Sequence, residues 1–441
     1  MTSAQAITLL VLAAVVAALI WDKMRSDVVA LAGAALLLMT GVVRPVEVQS
    51  AFASPAIVAL ASLFVIAYAM ELSGLLDAVI GAVVRLCRRI GGAGLWVLIG
   101  LAGGASAFLN NTPIVVLSAP VVRDAATSIG QSPRRYLIPL SYAAVLGGCC
   151  TLIGTSTNLL VNDMAAVAGQ PRFGMFEISP VGLAVAFTGG LYLLLFSKRL
   201  IRSDNGRPTA SAEEAAVTAE EFGEPGLSGG SVGRVGPFAK SVPLKPWKAI
   251  AASGIFVSVV VLAALEVAPI AACAFAGAVL LILLRVITAD EAYRGLRPEV
   301  LMLIAGMVVL GIALDETGLA SAATEALIGP LEVVSPLLAL IILYGVTLFA
   351  TELLSNATVA VLFTPVAVSM AEALAVNPRP FLVAVMIAGS AAFATPFGYQ
   401  TNVIVYQMGG YSYLDFVRVG IPLNLITWIA AIVAIQVYFP F

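Results

Sequence analysis

The chain has no histidine among its 441 residues and little charge of either sign. The lack of histidine excludes imidazole metal sites, Ser-His-Asp catalysis and histidine proton relays. Charged residues make up 11% of the chain and hydrophobic residues 61%, whereas a soluble protein carries roughly 25% charged residues. The net charge of −2 argues against a nucleic-acid partner. We therefore predict a membrane protein whose chain crosses the lipid bilayer several times.

Cysteine is also scarce, and the spacing of the four residues matches no metal site. The adjacent Cys149 and Cys150 lie in an apolar stretch and are predicted to pack as small residues. The first apolar segment, residues 7–20, lacks a basic n-region and an A-x-A cleavage site. It is therefore predicted to be a retained span rather than a signal peptide.

One long segment, residues 203–247, is rich in Gly, Pro, Ser and Glu, which is typical of a flexible linker. It divides the chain into a first membrane repeat, residues 1–202, and a second membrane repeat, residues 248–441.

The two halves carry related polar motifs at an offset of 244 or 245 residues. FLNNTP at 108–113 and LLSNAT at 353–358 each interrupt an apolar stretch, and so do GTSTN at 154–158 and GYQTN at 398–402. Because the motifs recur in the same order at one offset, they indicate an internal duplication.

Apolar segments of about 20 residues predict five membrane spans in each half. Each half also carries one interfacial helix and one hairpin of two helical arms that meets at a polar tip. In the first half the spans are 7–22, 27–43, 55–72, 135–168 and 177–198, with the interfacial helix at 75–90 and the hairpin at 92–128. In the second half they are 248–266, 269–288, 298–314, 380–408 and 415–438, with the interfacial helix at 318–330 and the hairpin at 334–374. The fourth span of each half is broken by its polar motif.

Five crossings per repeat is an odd number, so the second repeat is predicted to be inverted. The fold class is therefore an all-α polytopic membrane protein with two inverted-topology repeats and re-entrant hairpins. With both termini outside and the linker in the cytoplasm, 20 of the 23 Lys and Arg residues lie inside, and only Arg44, Arg172 and Arg379 lie outside. This bias follows the positive-inside rule of the cell inner (plasma) membrane.

The four polar breaks predict a binding site near the middle of the membrane. Polar, non-helical backbone is tolerated at that depth only where it is buried in protein or lines a cavity, and paired broken helices are typical of secondary transporters. Carbonyl, hydroxyl and amide oxygens suit a monovalent cation such as Na⁺, whereas helix N-termini suit an anion. We expect no Lys, Arg or His in the core, so dipoles, amides and bound cations would hold the anion. The pattern favours a cation-coupled anion carrier.

The motifs FLNNTP, GTSTNLL, LLSNAT and GYQTN resemble those of the divalent-anion:sodium symporters, the sodium/sulfate and carboxylate carriers of the ion-transporter superfamily. The resemblance covers residues 7–200 and 248–438. It implies symport of Na⁺ with sulfate or a small dicarboxylate, with Na⁺ as coupling ion and no other cofactor. It also implies an elevator motion of a transport unit against the scaffold of a homodimer.

The resemblance further implies which residues form the site. Each Na⁺ ion would be bound by one hairpin tip and one helix break, formed by Ser106, Asn110, Asn111, Gly154 and Thr155, and by Thr351, Ser355, Asn356, Gly398 and Tyr399. The anion would contact residues at both tips and both breaks, namely Asn111, Thr112, Thr157, Asn158, Asn356, Ala357, Thr358, Thr401 and Asn402.

Glu352 lies one turn before the second tip, where the first repeat has Ala107. A carboxylate at membrane depth indicates function, so one hypothesis makes Glu352 a coupling group for protons or cations. The alternative is a Glu that is hydrogen-bonded to a neighbouring helix. Glu71 and Asp315 match across the repeats but lie at span ends, where a solvated carboxylate is ordinary.

Three other functions remain as alternatives. A channel is one, although inverted repeats with broken helices favour alternating access. An arsenite exporter or a Na⁺/H⁺ exporter could use the same scaffold. An intramembrane enzyme is disfavoured because the sequence has no histidine, no paired catalytic carboxylates and no G-x-S-x-G motif.

Overall fold

A computed structural model describes residues 2–21, 24–75, 78, 91–201, 243–328 and 335–441, and all their regular secondary structure is α-helical. The first half contributes nine helices to this part of the chain: α1 Ser3–Trp21, α2 Ser26–Met39, α3 Pro45–Phe52, α4 Pro55–Leu72, α5 Gly92–Ser106, α6 Asn111–Ser128, α7 Arg134–Gly148, α8 Ser156–Val167 and α9 Ser179–Leu200. The second half contributes ten: α10 Pro246–Ala264, α11 Ile270–Leu283, α12 Ala289–Gly295, α13 Pro298–Glu316, α14 Leu319–Ile328, α15 Pro336–Thr351, α16 Asn356–Ala373, α17 Arg379–Ser390, α18 Gln400–Gly409 and α19 Tyr413–Tyr438. Most of the predicted interfacial helix at 75–90 and of the linker lies outside the described residues.

The predicted helix breaks are confirmed, and five of the ten predicted spans coincide with helical segments long and apolar enough to cross a membrane. A sixth such segment, 356–373, is the second arm of the predicted hairpin. Six helical segments are long and apolar enough to cross a membrane: 45–72, 179–197, 246–264, 298–316, 356–373 and 413–438. The predicted breaks separate α5 from α6, α7 from α8, α15 from α16 and α17 from α18. The flanking helices are shorter because polar residues and glycines interrupt each apolar segment.

Local sequence places several helix starts. Ser54 and Ser335 each precede a proline that occupies the first turn of α4 or α15. The two serine side chains accept hydrogen bonds from Ala56 N and Leu338 N, which satisfies one free N–H at each helix start.

Two short helices, α3 and α12, were not predicted. Both are brief, and both carry charged residues beside the longer spans, so hydropathy alone does not detect them. The sequence around α12 does contain a signal, because Thr288 and Glu291 form a capping box.

The contacts between helices recur when each helix is replaced by its equivalent in the other half. Helix α2 packs on α13 as α11 packs on α4, and α5 packs on α7 as α15 packs on α17. Helix α8 packs on α16 as α6 packs on α18, and α9 packs on α19. This exchange pattern is the one that a duplication predicts, and the two halves interlock in it.

The packing divides the described helices into two units, and α14 contacts both of them. Helices α5–α9 and α15–α19 form one unit, here called the hairpin unit, and α1–α4 and α10–α13 form the frame. The units meet where α4 and α13 contact α8, and where α13 contacts α16. Gly311 of α13 makes close approach possible there, since a Cβ atom would lie 2.1 Å from Met164 Cε of α8.

Two ion pairs link the first repeat to the second inside the hairpin unit. Arg134, at the start of α7, bonds Asp415 of α19 at 2.9 Å. Arg379, at the start of α17, donates from Nε to Glu177 just before α9, also at 2.9 Å. Each arginine therefore ties one broken span to the last span of the other repeat. Each pair also joins residues that the predicted topology places on the same side of the membrane.

Candidate transport site

The first hairpin tip, residues 107–110, closes on itself through buried polar side chains. Asn110 is the N-cap of α6, and its side-chain oxygen accepts a hydrogen bond from Thr112 N at 3.1 Å. The Ser106 hydroxyl at the end of α5 donates to Asn111 Oδ1. Since Ser106 and Asn111 are both buried, the tip holds oxygen atoms away from water.

The second tip, residues 352–355, repeats these contacts. Thr351 Oγ1 lies 2.8 Å from Asn356 Oδ1 and donates to Gly389 O, also at 2.8 Å. Ser355 is the N-cap of α16 and accepts from Thr358 N at 3.2 Å. The hydroxyl–amide pair of the first tip thus recurs at the aligned positions of the second.

The unwound segments of the two broken spans, here break 1 (149–155) and break 2 (391–399), are each bridged by an asparagine. Asn158 donates from Nδ2 to Thr151 O at 3.0 Å and approaches Gly148 O at 3.5 Å. Asn402 donates to Thr395 O at 3.2 Å and to Ala392 O at 2.8 Å. These amides satisfy carbonyl groups that lack helical partners, as buried backbone requires.

Two threonines outside the predicted site join each break to the tip of its own repeat. Thr151 donates to Ala107 O and accepts from Gly154 N at 3.1 Å. Thr395 lies 3.4 Å from Glu352 O and accepts from Gly398 N at 3.0 Å. Neither threonine was predicted to belong to the site, although their alignment at the repeat offset was a usable signal.

Close backbone contact explains the glycine of break 1. A Cβ atom on Gly154 would lie 2.4 Å from Gly148 O and 2.9 Å from Ala107 O. Any side chain at this position would push the break away from α7 and from the first tip.

Contacts across the repeats bring the first tip to break 2. Asn111 Nδ2 donates to the Tyr399 hydroxyl at 3.1 Å, and the Thr112 hydroxyl donates to Gln400 Oε1 at 3.2 Å. Thr401 and Asn402 are bonded instead by the Ser141 hydroxyl, at 2.7 Å each. Ser141 is a further contact that sequence reasoning missed.

Some predicted site residues leave polar atoms unsatisfied in the described part of the chain. Asn356 Nδ2 and Asn158 Oδ1 are buried there without a hydrogen-bond partner. The aligned amide of Asn111 reaches Tyr399, but the position that aligns with Tyr399 in break 1 is the shorter Thr155. Buried polar atoms normally have partners, so these two atoms are available to a ligand.

Three further predicted site residues, Thr157, Thr358 and Ala357, present different chemical groups. Thr157 is buried, and its N–H lies 3.4 Å from Thr155 Oγ1. Thr358 Oγ1 lies 2.8 Å from Ser355 Oγ. Ala357 is buried at the second tip and contributes only a methyl group.

Glu352 fastens the second tip to break 2 and to α19. Its carboxylate accepts hydrogen bonds from Ala394 N at 2.7 Å, Thr395 N at 2.9 Å and Asn424 Nδ2 at 2.8 Å. This geometry favours the hydrogen-bonded alternative, and the coupling role stays a hypothesis.

A cavity of about 50 Å³ lies between the hairpin unit and the frame, beside the first tip. Its wall includes Asn110, Gly154 and Ser156 from the hairpin unit, and Glu71 and Arg297 from the frame. Arg297 is only 1% exposed, so the expectation of a core without Lys or Arg is wrong. The sequence analysis did not single out Arg297 because the residue lies immediately before a predicted span.

A larger cavity, of about 400 Å³, lies on the other side of Ile153, which lines both. Asp163, Arg172 and Glu266 form part of its wall. Asp163 also accepts a hydrogen bond from Ser54 of α4, so this wall joins the frame to α8.

A duplicated helical bundle with apolar spans and paired, polar helix breaks defines the class of multi-pass membrane transporters. The profile of the citrate transporter family matches residues 16–381 and 353–441, so the chain belongs to that family. The family consists of transporters and not of enzymes.

Individual relatives agree with this assignment. The chain is 25% identical to an uncharacterized transporter of Synechocystis, sll0640, over 92% of each protein. It is 43% identical to the probable sodium/sulfate cotransporter 3 of Chlamydomonas reinhardtii over 109 residues, which are 23% of this chain and 12% of that protein. Among solved structures, the YdaH transporter of Alcanivorax borkumensis has a similar fold, with a TM-score of 0.57 and 15% identity over 89% of this chain and 87% of that one.

Proposed function

We propose that this transporter couples the movement of Na⁺ to that of a small divalent anion, either sulfate or a dicarboxylate. The observation that carries the proposal is the recurrence of one hydroxyl–amide pair, Ser106 with Asn111 and Thr351 with Asn356, at the two tips. Two equivalent clusters of neutral oxygens suit two monovalent cations. The local similarity to a protein named as a sodium/sulfate cotransporter supports both Na⁺ and the anion.

In this proposal each cation is bound at one tip and its neighbouring break. Side-chain oxygens come from the hydroxyl–amide pair, and carbonyl oxygens come from the unwound backbone. Gly154 and Gly398 permit the close approach of these segments. The ligand set contains no carboxylate among the predicted residues, which favours a singly charged cation over a divalent one.

The anion is proposed to bind between the tips, where several helices begin. Helices α6, α8, α16 and α18 all start at a tip or a break. Their N-termini carry partial positive charge and free N–H groups. The unsatisfied Asn356 Nδ2 supplies a further donor.

The division into two units suits an elevator motion, in which the hairpin unit moves against the frame. The hairpins are then re-entrant, both chain termini lie outside, and the linker lies in the cytoplasm of a cell with the transporter in its inner membrane. We propose that two copies associate through their frames.

Uptake by proteoliposomes tests the proposed function. With an inward Na⁺ gradient, we expect accumulation of labelled sulfate, succinate or citrate, the last included because of the family's description. Replacing Na⁺ by K⁺ should abolish uptake, and Asn111→Ala and Asn356→Ala should each abolish it without loss of expression. Proton efflux without anion uptake would instead support the exporter alternative.

A further inference from the structure

Arg297 is a buried cation beside the candidate transport site. It is the N-cap of α13, and its guanidinium carbon lies 5.7 Å from the centre of the Phe64 ring. Arg297 and Phe64 line the same cavity as Asn110 and Ser156. Arg297 of the frame and Asn110 of the first tip therefore line one cavity.

A buried charge is costly unless an opposite charge lies nearby. Glu71 lines the same cavity as Arg297, and Glu299 lies two residues after Arg297 in the chain. Glu71 is a single carboxylate, whereas a divalent anion offers two charges and several oxygen atoms to a planar guanidinium.

The positive charge of Arg297 has no counterpart at the aligned position of the first repeat. Ser54 occupies the corresponding position before α4, and each of the two residues is an N-cap followed by a proline. Ser54 donates a hydrogen bond to Asp163. The residue that precedes the proline at this helix start is thus a permanent positive charge in the second repeat and a neutral hydroxyl in the first.

Two helix starts face the same cavity. Asn110 caps α6, and Ser156 is the first residue of α8. Their partial positive charges add to that of Arg297. Among the lining residues, Glu71 carries the opposing negative charge.

We propose that Arg297 binds the transported anion and sets its preference for a double negative charge, with Glu71 as its partner when the anion is absent. The proposal rests on the anion transport inferred above. It assigns the specificity to a frame residue, outside the two tips and the two breaks.

Anion binding to purified protein tests this role. Sulfate and succinate are titrated in Na⁺ buffer against Arg297→Gln, Arg297→Lys and Glu71→Gln, and the shift in melting temperature gives the affinity. We expect Arg297→Gln to lose about tenfold or more, as for one lost charge-assisted hydrogen bond, and Arg297→Lys to lose less. Glu71→Gln should bind more tightly. The exposed Arg294→Gln, three residues away, should bind as the wild type does.

The double variant Glu71→Gln/Arg297→Gln distinguishes a role of Arg297 in anion binding from a role in neutralising Glu71. It removes both charges together, so it should fold even if Arg297→Gln does not. We expect its anion affinity to remain low. Wild-type affinity in the double variant, or in Arg297→Gln, would overturn the proposal while leaving the proposed transport intact. If the wild type binds no anion in Na⁺, the proposed function itself fails, and this role with it.

Discussion

At the residue scale, side-chain amides and hydroxyls replace the helical hydrogen bonds that the breaks remove. Asn158 and Asn402 satisfy carbonyl groups of the two unwound segments. Thr151 and Thr395 connect those segments to the tips. The polar atoms of the site are thereby fixed in position before any ligand arrives.

Thr351 provides a direct test of the proposed cation ligands, because valine has nearly the same shape without the hydroxyl. We expect Thr351→Val to raise the Na⁺ concentration for half-maximal uptake by about tenfold, as for the loss of one ligand hydrogen-bonded to Asn356. Thr351→Ser should stay close to the wild type. Equal Na⁺ dependence in both variants would count against this site.

The sequence predicted the aligned tip and break residues because polar groups stand out within apolar spans. It did not predict Arg297, because a charge just before a span resembles an ordinary loop residue. It also could not place Asn111 beside Tyr399, since that contact depends on how the two repeats interlock.

At the element scale, the broken spans are held by contacts between repeats. Arg134 and Asp415 have side chains that are 10% and 6% exposed. In the other pair, which shares the aligned arginine, Arg379 and Glu177 are 22% and 30% exposed. The structure therefore contains one buried ion pair and one partly solvated ion pair in equivalent places.

Removing one partner from each pair should have unequal effects on stability. Asp415→Asn leaves a buried arginine without its carboxylate, and we expect a loss of about 3–5 kcal/mol. Glu177→Gln should cost about 1 kcal/mol or less. Denaturant unfolding in detergent measures the free energy of unfolding of both variants. Equal losses would contradict this account of the two ion pairs.

Glu352 joins three elements, so its replacement distinguishes anchoring from coupling. Since its carboxylate already accepts three N–H donors, we expect Glu352→Gln to lower stability and uptake while leaving the pH profile of uptake unchanged. Transport is measured against pH in the variant and the wild type. A changed pH profile or Na⁺ dependence would restore the coupling hypothesis.

Helices were predicted best where a segment is both apolar and about as long as a membrane span. The breaks follow from apolar segments interrupted by polar motifs, and the structure confirms them together with five of the ten predicted spans. Helices α3 and α12 escaped prediction because they are too short for a span. The cross-repeat ion pairs escaped because no local pattern indicates which acid meets Arg134 or Arg379.

At the scale of the whole molecule, the exchange of helix packing between halves is the main feature. It builds a hairpin unit that contains both tips and both breaks, and a frame that contributes Arg297 and Glu71.

The predicted orientation is open to test by cysteine labelling. In a background without native cysteines, Asn377→Cys should react with an impermeant maleimide added outside intact cells. Ser228→Cys, in the linker, should react only after the membrane is opened. The reverse pattern would invert the topology and contradict the positive-inside assignment.

The central claim is that Na⁺ and the anion move together, and thermodynamic coupling must then act in both directions. In proteoliposomes with equal Na⁺ on both sides and an inward gradient of the transported anion, we measure the uptake of labelled Na⁺. The account predicts that Na⁺ accumulates while the anion gradient lasts, and that Asn111→Ala abolishes the accumulation. Entry of the anion without movement of Na⁺ would contradict it.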